Sequence, residues 1–293
     1  MKVIIGIPAF NEENNIAKII VKLKKKYDHV IVCDDGSSDM THDIATSLGA
    51  IVIKHSTNLG YGAAIKTIFN EFKKIEGDVL VTFDADGQHQ ISEIDSVLKP
   101  IFENSSDIVI GSRFLGTTKD LPKYRKIGIK TITSLTNTLT GSKITDAQSG
   151  FRAYSKKVLN EITPTESGMG ISTEILIKSA KNDMRITEVP ITISYEGNTH
   201  SQEAVSHGTS VVMSTIKHVA IERPLLYYGV TGLCFTILGL IFGGWTIQIF
   251  SDERVLAPGF ALIGIGGVIL GTILLITATI LYSIVNVIRE KNN

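Results

Sequence analysis

Two carboxylates stand two residues apart at Asp84 and Asp86, directly behind the apolar run Val79–Phe83. In extended chain that spacing turns both side chains to one side. Close carboxylates repel unless a cation sits between or beside them. Hard oxygen donors of this kind suit Mg2+ or Mn2+, ions that typically bridge protein carboxylates to substrate phosphates. Gln88 can add a carbonyl oxygen, and His89 follows it. A lone D-x-D is a weak signal. D-x-D-x-Q-H at the mouth of a buried strand is a much stronger pointer to a metal and a diphosphate.

The elements that must position these residues are visible in the apolar pattern. Lys2–Ile7, Val30–Cys33, Ala50–Ile53, Val79–Phe83 and Ile108–Ile110 are short apolar runs that predict strands. Helices are expected between them: Glu12–Lys26 with Ile16, Ile19, Ile20 and Leu23 on one face, Asp39 to Leu48, Tyr61–Lys74, and Ser92 to Phe102. Such alternation implies a mostly parallel sheet covered on both faces, where ligands bind beyond the carboxyl ends of the strands. The residues there are unusually polar. They are Pro8-Ala9-Phe10-Asn11-Glu12, Asp34-Asp35-Gly36-Ser37-Ser38-Asp39, Asn58-Leu59-Gly60-Tyr61-Gly62, Asp84-Ala85-Asp86-Gly87-Gln88-His89 and Gly111-Ser112-Arg113. Each alone could be a capped turn, but together they point to a site. Neither G-x-x-x-x-G-K-[ST] nor G-x-G-x-x-G after the first strand occurs, which excludes P-loop nucleotide hydrolysis and dinucleotide-dependent oxidoreduction.

The chain has 293 residues, enough for one α/β domain and something more. Its 29 basic and 29 acidic side chains leave no basic excess for nucleic acid. Cys33 and Cys234 both lie in apolar stretches, which argues against a disulfide framework or a zinc site and for a reducing compartment. The first apolar run is too short for a signal peptide. No charged residue occurs over Leu225–Phe250 or Ala257–Val287. Each stretch exceeds the roughly 20 residues that a bilayer-spanning helix needs. The expected organisation is a catalytic domain over 1–200, an amphipathic helix over 201–224, and transmembrane helices over 225–250 and 257–287. Lys217, Arg223, Arg289 and Lys291 flank the spans, so the positive-inside rule puts both termini and the front domain in the cytoplasm. The Gly239/Gly243 and Gly267/Gly271 spacings let helices approach closely and permit a homo-oligomer. Val205, Val212, Ile216 and Val219 form one stripe, which either lies in the headgroup region or packs on the domain core. Pro122–Leu139 is a second segment of this kind.

The segments Ile7–Glu13, Val32–Asp39, Asn58–Ala64 and Phe83–His89 resemble glycosyltransferase family 2, with its GT-A fold. Gly111-Ser112-Arg113-Phe114 and Asp146-Ala147-Gln148-Ser149-Gly150-Phe151-Arg152 resemble its dolichyl-phosphate mannose synthase and polyprenyl-phosphate glycosyltransferase branch. The likeness runs over roughly residues 2–200. It implies an α/β, Rossmann-like GT-A domain followed by a two-helix hairpin. Mannose synthases usually carry a bulky apolar residue between the Asp and the Gln of the motif, then His-Pro-Pro. Here Gly87 and His89-Gln90-Ile91 stand there, which leaves the sugar open.

By the same resemblance, Pro8, Ala9, Phe10, Glu12, Asp34, Asp35, Asp84 and Ala85 would line the nucleotide-sugar site, with Asp35 at the base edge. Asp84, Asp86 and Gln88 would hold Mg2+ or Mn2+ on the diphosphate. Arg113, Arg125 and Arg152 would meet phosphate oxygens. The implied reaction moves a sugar, with inversion, from a UDP- or GDP-linked donor to a polyprenyl or dolichyl phosphate at a membrane. A phosphate monoester has a second pKa of about 6 and is already mostly dianionic at neutral pH. It needs cationic positioning, which arginine supplies bidentately, rather than a strong general base. Asp146 suits an arginine, the sugar or a cap. Two other readings are a transferase acting on a saccharide hydroxyl and a non-catalytic membrane-anchored binding subunit. The Gln-x-x-Arg-Trp motif usual in processive members is missing, since Trp245 lies in a span.

Overall fold

A computed structural model describes residues 1–116, 123–193, 224–255 and 257–291. They form two units, Met1–Thr215 and Ile216–Asn293. The helix expected over 201–224 lies, except for Pro224, outside the described residues.

The first unit is a three-layer α/β/α domain. Its strands are β1 (Val3–Ala9), β2 (His29–Asp34), β3 (Ile51–Lys54), β4 (Val79–Thr82), β5 (Ile108–Ser112), β6 (Arg152–Ser155) and β7 (Ile186–Pro190). They build one sheet in the order β3-β2-β1-β4-β6-β5-β7. The helices are α1 (Glu13–Leu23), α2 (Thr41–Ser47), α3 (Tyr61–Ile75), α4 (Ile94–Phe102), α5 (Lys123–Thr140), α6 (Lys156–Glu161) and α7 (Ile171–Lys181).

Alternation along each strand divides the core between two faces. Ile5, Ile7, Val30, Val32, Val79 and Val81 pack with Ile16, Ile20 and Leu23 of α1 and Ile94, Val97 and Leu98 of α4. Ile4, Ile31, Leu80, Ile108 and Ile110 pack on the other side with Ile65, Ile68 and Phe72 of α3, Val158 and Leu159 of α6 and Ile175 of α7. Burial on both faces is why these strands read as continuous apolar runs.

The sheet is mostly parallel, with one departure. β6 runs antiparallel between β4 and β5. Neither β6 nor the edge strand β7 belongs to the five runs read from the sequence. β6 reads Arg-Ala-Tyr-Ser, and β7 reads Ile-Thr-Glu-Val-Pro with half-exposed side chains. Both owe their pairing to neighbours rather than to an apolar run of their own.

In the second unit a π-helical turn, Leu225–Gly229, leads into α8 (Val230–Glu253), and α9 (Pro258–Lys291) returns. Tyr227–Glu253 and Pro258–Val285 are long and apolar enough to cross a membrane, and their most apolar windows are only 6% and 11% buried. A core helix of that hydropathy would be mostly covered, so these faces suit lipid rather than protein. The glycines bring the two backbones into contact. A Cβ on Gly239 would stand 2.5 Å from Val268 N and 2.7 Å from Gly264 O, and one on Gly264 would stand 2.9 Å from Gly243 N. The close approach expected of these glycines is thus made within one chain. Gly239→Leu should destabilise the hairpin by about 1–3 kcal/mol through overpacking. Gly266→Leu, where a Cβ meets nothing within 4 Å, should be neutral; thermal unfolding of both variants in detergent checks this.

Candidate active site

The strand order turns around at β1. From there the chain steps outward to β2 and β3 on one side and to β4 on the other. Open α/β sheets have their ligand crevice at the carboxyl ends of the strands on either side of such a point. Here that places the turn after β1 beside the turn after β4, with Phe83 N donating to Gly6 O at 2.9 Å. Glu12 from the first turn therefore feels the second. Its carboxyl is pushed above its usual range by burial, partly offset by the Asn15 amide, and then by the charges of Asp86, Asp39 and Asp84.

Asp84 is held from both sides. Tyr61 Oη, at the start of α3, donates to Asp84 Oδ1 at 3.4 Å, and His89 Nε2 lies 3.3 Å from Oδ2. Burial, followed by the Asp84 charge, pushes the Tyr61 phenol well above its ordinary value, so it stays a donor. The His89 ring packs against Phe83 and Phe151. A Cβ on Gly150 would come within 2.5 Å of Asp84 Oδ2 and 2.7 Å of the Tyr61 hydroxyl, so only a residue without a side chain lets the 147–151 loop pack this closely against the carboxylate. Asp86 sits at the mouth and accepts from Gln88 N at 3.0 Å. Partial desolvation and then the Asp84 charge raise its carboxyl above the usual range, against the pull of the Gln88 N–H, His89 and Arg113. Gly87 has φ +72°, a left-handed conformation that a bulky side chain would strain.

Arg113 reaches the same place from β5. Its Nε donates to Asp146 Oδ2 at 2.6 Å and its backbone N–H to the same oxygen at 3.2 Å. Asp146 is fully buried. Glu188 on β7 fixes the Asp146 loop, its carboxylate accepting from Thr145 N, Thr145 Oγ1 and Asp146 N at 2.7–2.9 Å. Glu188 had no place in the sequence reading, and Tyr61 stood there only within the Asn58–Gly62 turn, with no role of its own. A glutamate in an edge strand carries no local signal of a site.

Arg152 is corrected by the structure. It was expected on phosphate, yet it is 1% exposed. Its guanidinium donates to three backbone carbonyls, Ala147 O, Ser149 O and Ser172 O, at 2.8–2.9 Å. It braces the 147–151 loop from beneath. Arg125 lies in the first turn of α5, and its side chain is outside the described residues.

The turns after β1, β2 and β3 form one hydrogen-bonded group. Pro8 and Ala9 are buried strand residues, whereas Phe10 is exposed. Asp34 is fully buried; its Oδ1 accepts from Ser37 N, and Lys54 and His42 lie 3.6 and 3.8 Å from Oδ2. Asp35 faces mainly the chain. Its Oδ1 accepts from Leu59 N and His55 Nδ1, and its Oδ2 from Gly60 N, which leaves one lone pair of Oδ2 open in a residue that is 3% exposed. Gly60, at φ +97°, can turn its N–H this way only because it lacks a Cβ. The Met169–Glu174 segment adds a second brace. Buried Glu174 accepts from Thr165 N, Thr165 Oγ1 and Glu166 N, and the adjoining Ser167 O receives Ala63 N of α3.

The site favours a cation. Asp84 and Asp86 repel, and Glu12 adds to their field. Among the described residues no three His, Cys, Asp or Glu side chains gather tightly enough to hold a metal alone. That suits an ion bound through one or two carboxylates and completed by water and phosphate.

Arg152→Met should cost about 3 kcal/mol by orphaning three buried carbonyls. Chemical denaturation of the full chain measures it; a phosphate-contacting role would instead leave stability unchanged.

Comparison with known proteins agrees with this geometry. The profile described as glycosyl transferase family 2 matches residues 4–163. The Methanococcus voltae UDP-N-acetylglucosamine–dolichyl-phosphate N-acetylglucosaminyltransferase is 34% identical over 229 residues, 71% of this chain and 89% of that protein. The Haloferax volcanii dolichyl-phosphate hexose transferase is 29% identical over 216 residues, 73% of this chain and 92% of that protein. The fold is shared with glucosyl-3-phosphoglycerate synthase from Mycobacterium tuberculosis, solved with Mn2+, UDP and glucosyl-3-phosphoglycerate. There the TM-score is 0.58 at 20% identity, over 74% of this chain and 79% of that one. With its family profile covering β1 to β6, the strand-end turns and the Asp84–Asp86 pair, this chain belongs to glycosyl transferase family 2 and is a hexosyltransferase.

Proposed function

We propose that this transferase moves a sugar from a nucleoside-diphosphate sugar onto a polyprenyl phosphate, with inversion at the sugar carbon. The observation that carries it is the meeting of a carboxylate pair suited to a metal–diphosphate, at the end of β4, with an arginine that reaches the same place from the end of β5, on the far side of β6. The relatives named for transfer to dolichyl phosphate support the acceptor, and the two apolar helices supply a reason for a lipid one.

In this reading Phe10 offers an exposed face to the base, and the open lone pair of Asp35 accepts from it. Pro8, Ala9 and buried Asp34 shape the floor beneath. Asp84 and Asp86, assisted by Gln88, would hold Mg2+ or Mn2+, which supplies positive charge to the departing diphosphate. Tyr61 and His89 keep Asp84 aimed, and Glu12 adds negative potential at the ribose side. Arg113, anchored by Asp146, presents charge-assisted donors to phosphate oxygens, with Arg125 as a second such group. An oxygen of the acceptor phosphate forms the new bond to the anomeric carbon, and the old bond's electron pair leaves with the nucleoside diphosphate. The nucleophile is already anionic, so no side chain has to take a proton from it. The basic flanks of the spans favour, by the positive-inside rule, a cytoplasmic catalytic unit and cytoplasmic termini.

The full chain in detergent, given polyprenyl phosphate and a panel of UDP-N-acetylglucosamine, UDP-glucose and GDP-mannose, should form a lipid-linked product with at least one donor. EDTA should abolish it and Mn2+ restore it. Asp86→Asn should lower the rate about 100-fold or more, as several kcal/mol of charge stabilisation is lost. Product on a saccharide acceptor alone would overturn the proposal. Gly150→Ala, whose methyl would press on the Asp84 carboxylate and the Tyr61 hydroxyl, should cut kcat about tenfold or more in a chain that still folds by circular dichroism.

A further inference from the structure

The donor end of the site contains a buried histidine that the reaction as derived above does not use. His55 follows β3, and its backbone N–H extends the pairing with β2 by donating to Asp34 O at 2.9 Å. Its side chain is 11% exposed. Nδ1 lies 2.6 Å from Asp35 Oδ1. A carboxylate can only accept here, so the proton of that bond is on Nδ1. Nε2 lies 2.8 Å from Thr67 Oγ1 on α3 and 3.5 Å from Cys33 Sγ on β2. Burial, and then the Asp35 charge, push the Cys33 thiol up to about 12, so it is protonated at neutral pH. One imidazole thus ties β2, the end of β3 and α3 to a single carboxylate oxygen.

That carboxylate sits at a junction. Asp35 N donates to Ala9 O at 2.8 Å, next to exposed Phe10, and the Asp35 side chain receives the N–H groups of Leu59 and Gly60. The backbone donors belong to a turn, which can shift. His55 is the side-chain donor among the three, and it is anchored at its far nitrogen. A hydrogen bond that fixes one oxygen also fixes where the other oxygen's open lone pair points.

We propose that His55 is a positioning residue of the donor site: it sets the orientation of Asp35 that receives the nucleoside of the sugar donor. This rests on the functional reading above, in which the nucleoside diphosphate lies over Asp35. A histidine that merely filled the core would be served equally by any side chain of similar bulk. A positioning histidine would not, because the hydrogen bond comes from the nitrogen nearer the backbone. In His55→Asn the amide nitrogen is as many bonds from Cβ as Nδ1 and can still reach Asp35. In His55→Gln the amide nitrogen matches Nε2 and reaches toward Thr67 instead.

The test measures UDP and GDP binding to the full chain with Mn2+ by calorimetry, then donor KM, acceptor KM and kcat, for wild type, His55→Asn, His55→Gln and His55→Ala. His55→Gln and His55→Ala should weaken nucleoside diphosphate binding and raise donor KM about tenfold, the scale of one lost hydrogen bond to a charged group. Acceptor KM and kcat should stay within about twofold. His55→Asn should recover most of the donor affinity. If Asn is as impaired as Gln, or if kcat falls while donor affinity holds, the proposal is overturned. Thermal unfolding identifies any variant that fails to fold, and the Asn–Gln contrast decides the matter even if Ala does not. Wild type that binds neither UDP nor GDP would overturn the functional reading itself, whereas wild type that binds alongside an unaffected His55→Gln overturns only the role of His55.

Discussion

Repulsion between Asp84 and Asp86 is the constraint around which the catalytic unit is arranged. Two carboxylates two residues apart at the end of a buried strand raise each other's energy, and burial of the surroundings reduces the solvent screening that would relieve them. The fold counters this with donors at measured places: Tyr61 from α3, His89 from the same turn, the Gln88 N–H, and the field of Arg113. Those groups restrain the pair without neutralising it. The remaining deficit of positive charge is what a divalent ion would fill.

Holding the pair in this state takes more of the molecule than the motif itself. Glu188 keeps the 145–146 loop in place, so that Asp146 can hold Arg113. Glu174 pins residues 165–166, and Ser167 then caps α3, where Tyr61 begins. Gly150 can lie directly against Asp84 because it has no side chain. Each of these residues is remote from solvent or from the reacting atoms, yet each fixes a group that faces them.

The parts legible in the sequence are those that depend on local pattern. Apolar runs marked β1 to β5, since strands buried on both faces leave no polar alternation to confuse the reading. The rule that ligands sit beyond the strand ends then singled out Asp84, Asp86, Arg113 and the Asp34–Asp35 turn. The parts that were not legible depend on what lies across the sheet. β6 has no strand signature, because its partners on both sides supply the pairing. Arg152 looked like a phosphate ligand because side-chain type alone does not say whether a guanidinium faces outward or into the fold. His55 gave no sign, since a histidine after a strand is ordinary in itself, and Tyr61 was marked only as part of its turn, since contact with Asp84 depends on how α3 packs.

The burial of Arg152 has a consequence for binding. Its partners are carbonyl dipoles, which orient around the guanidinium without cancelling its charge. The charge reaches the site, where it counteracts the rise in the Tyr61 phenol. An arginine does not lose its proton in a protein, and salt screens a buried charge far less than an exposed one. Arg152 therefore adds a positive contribution beneath the carboxylates that salt does little to weaken. It offsets part of the negative field of Asp84 and Asp86, and goes on doing so when surface electrostatics have been masked.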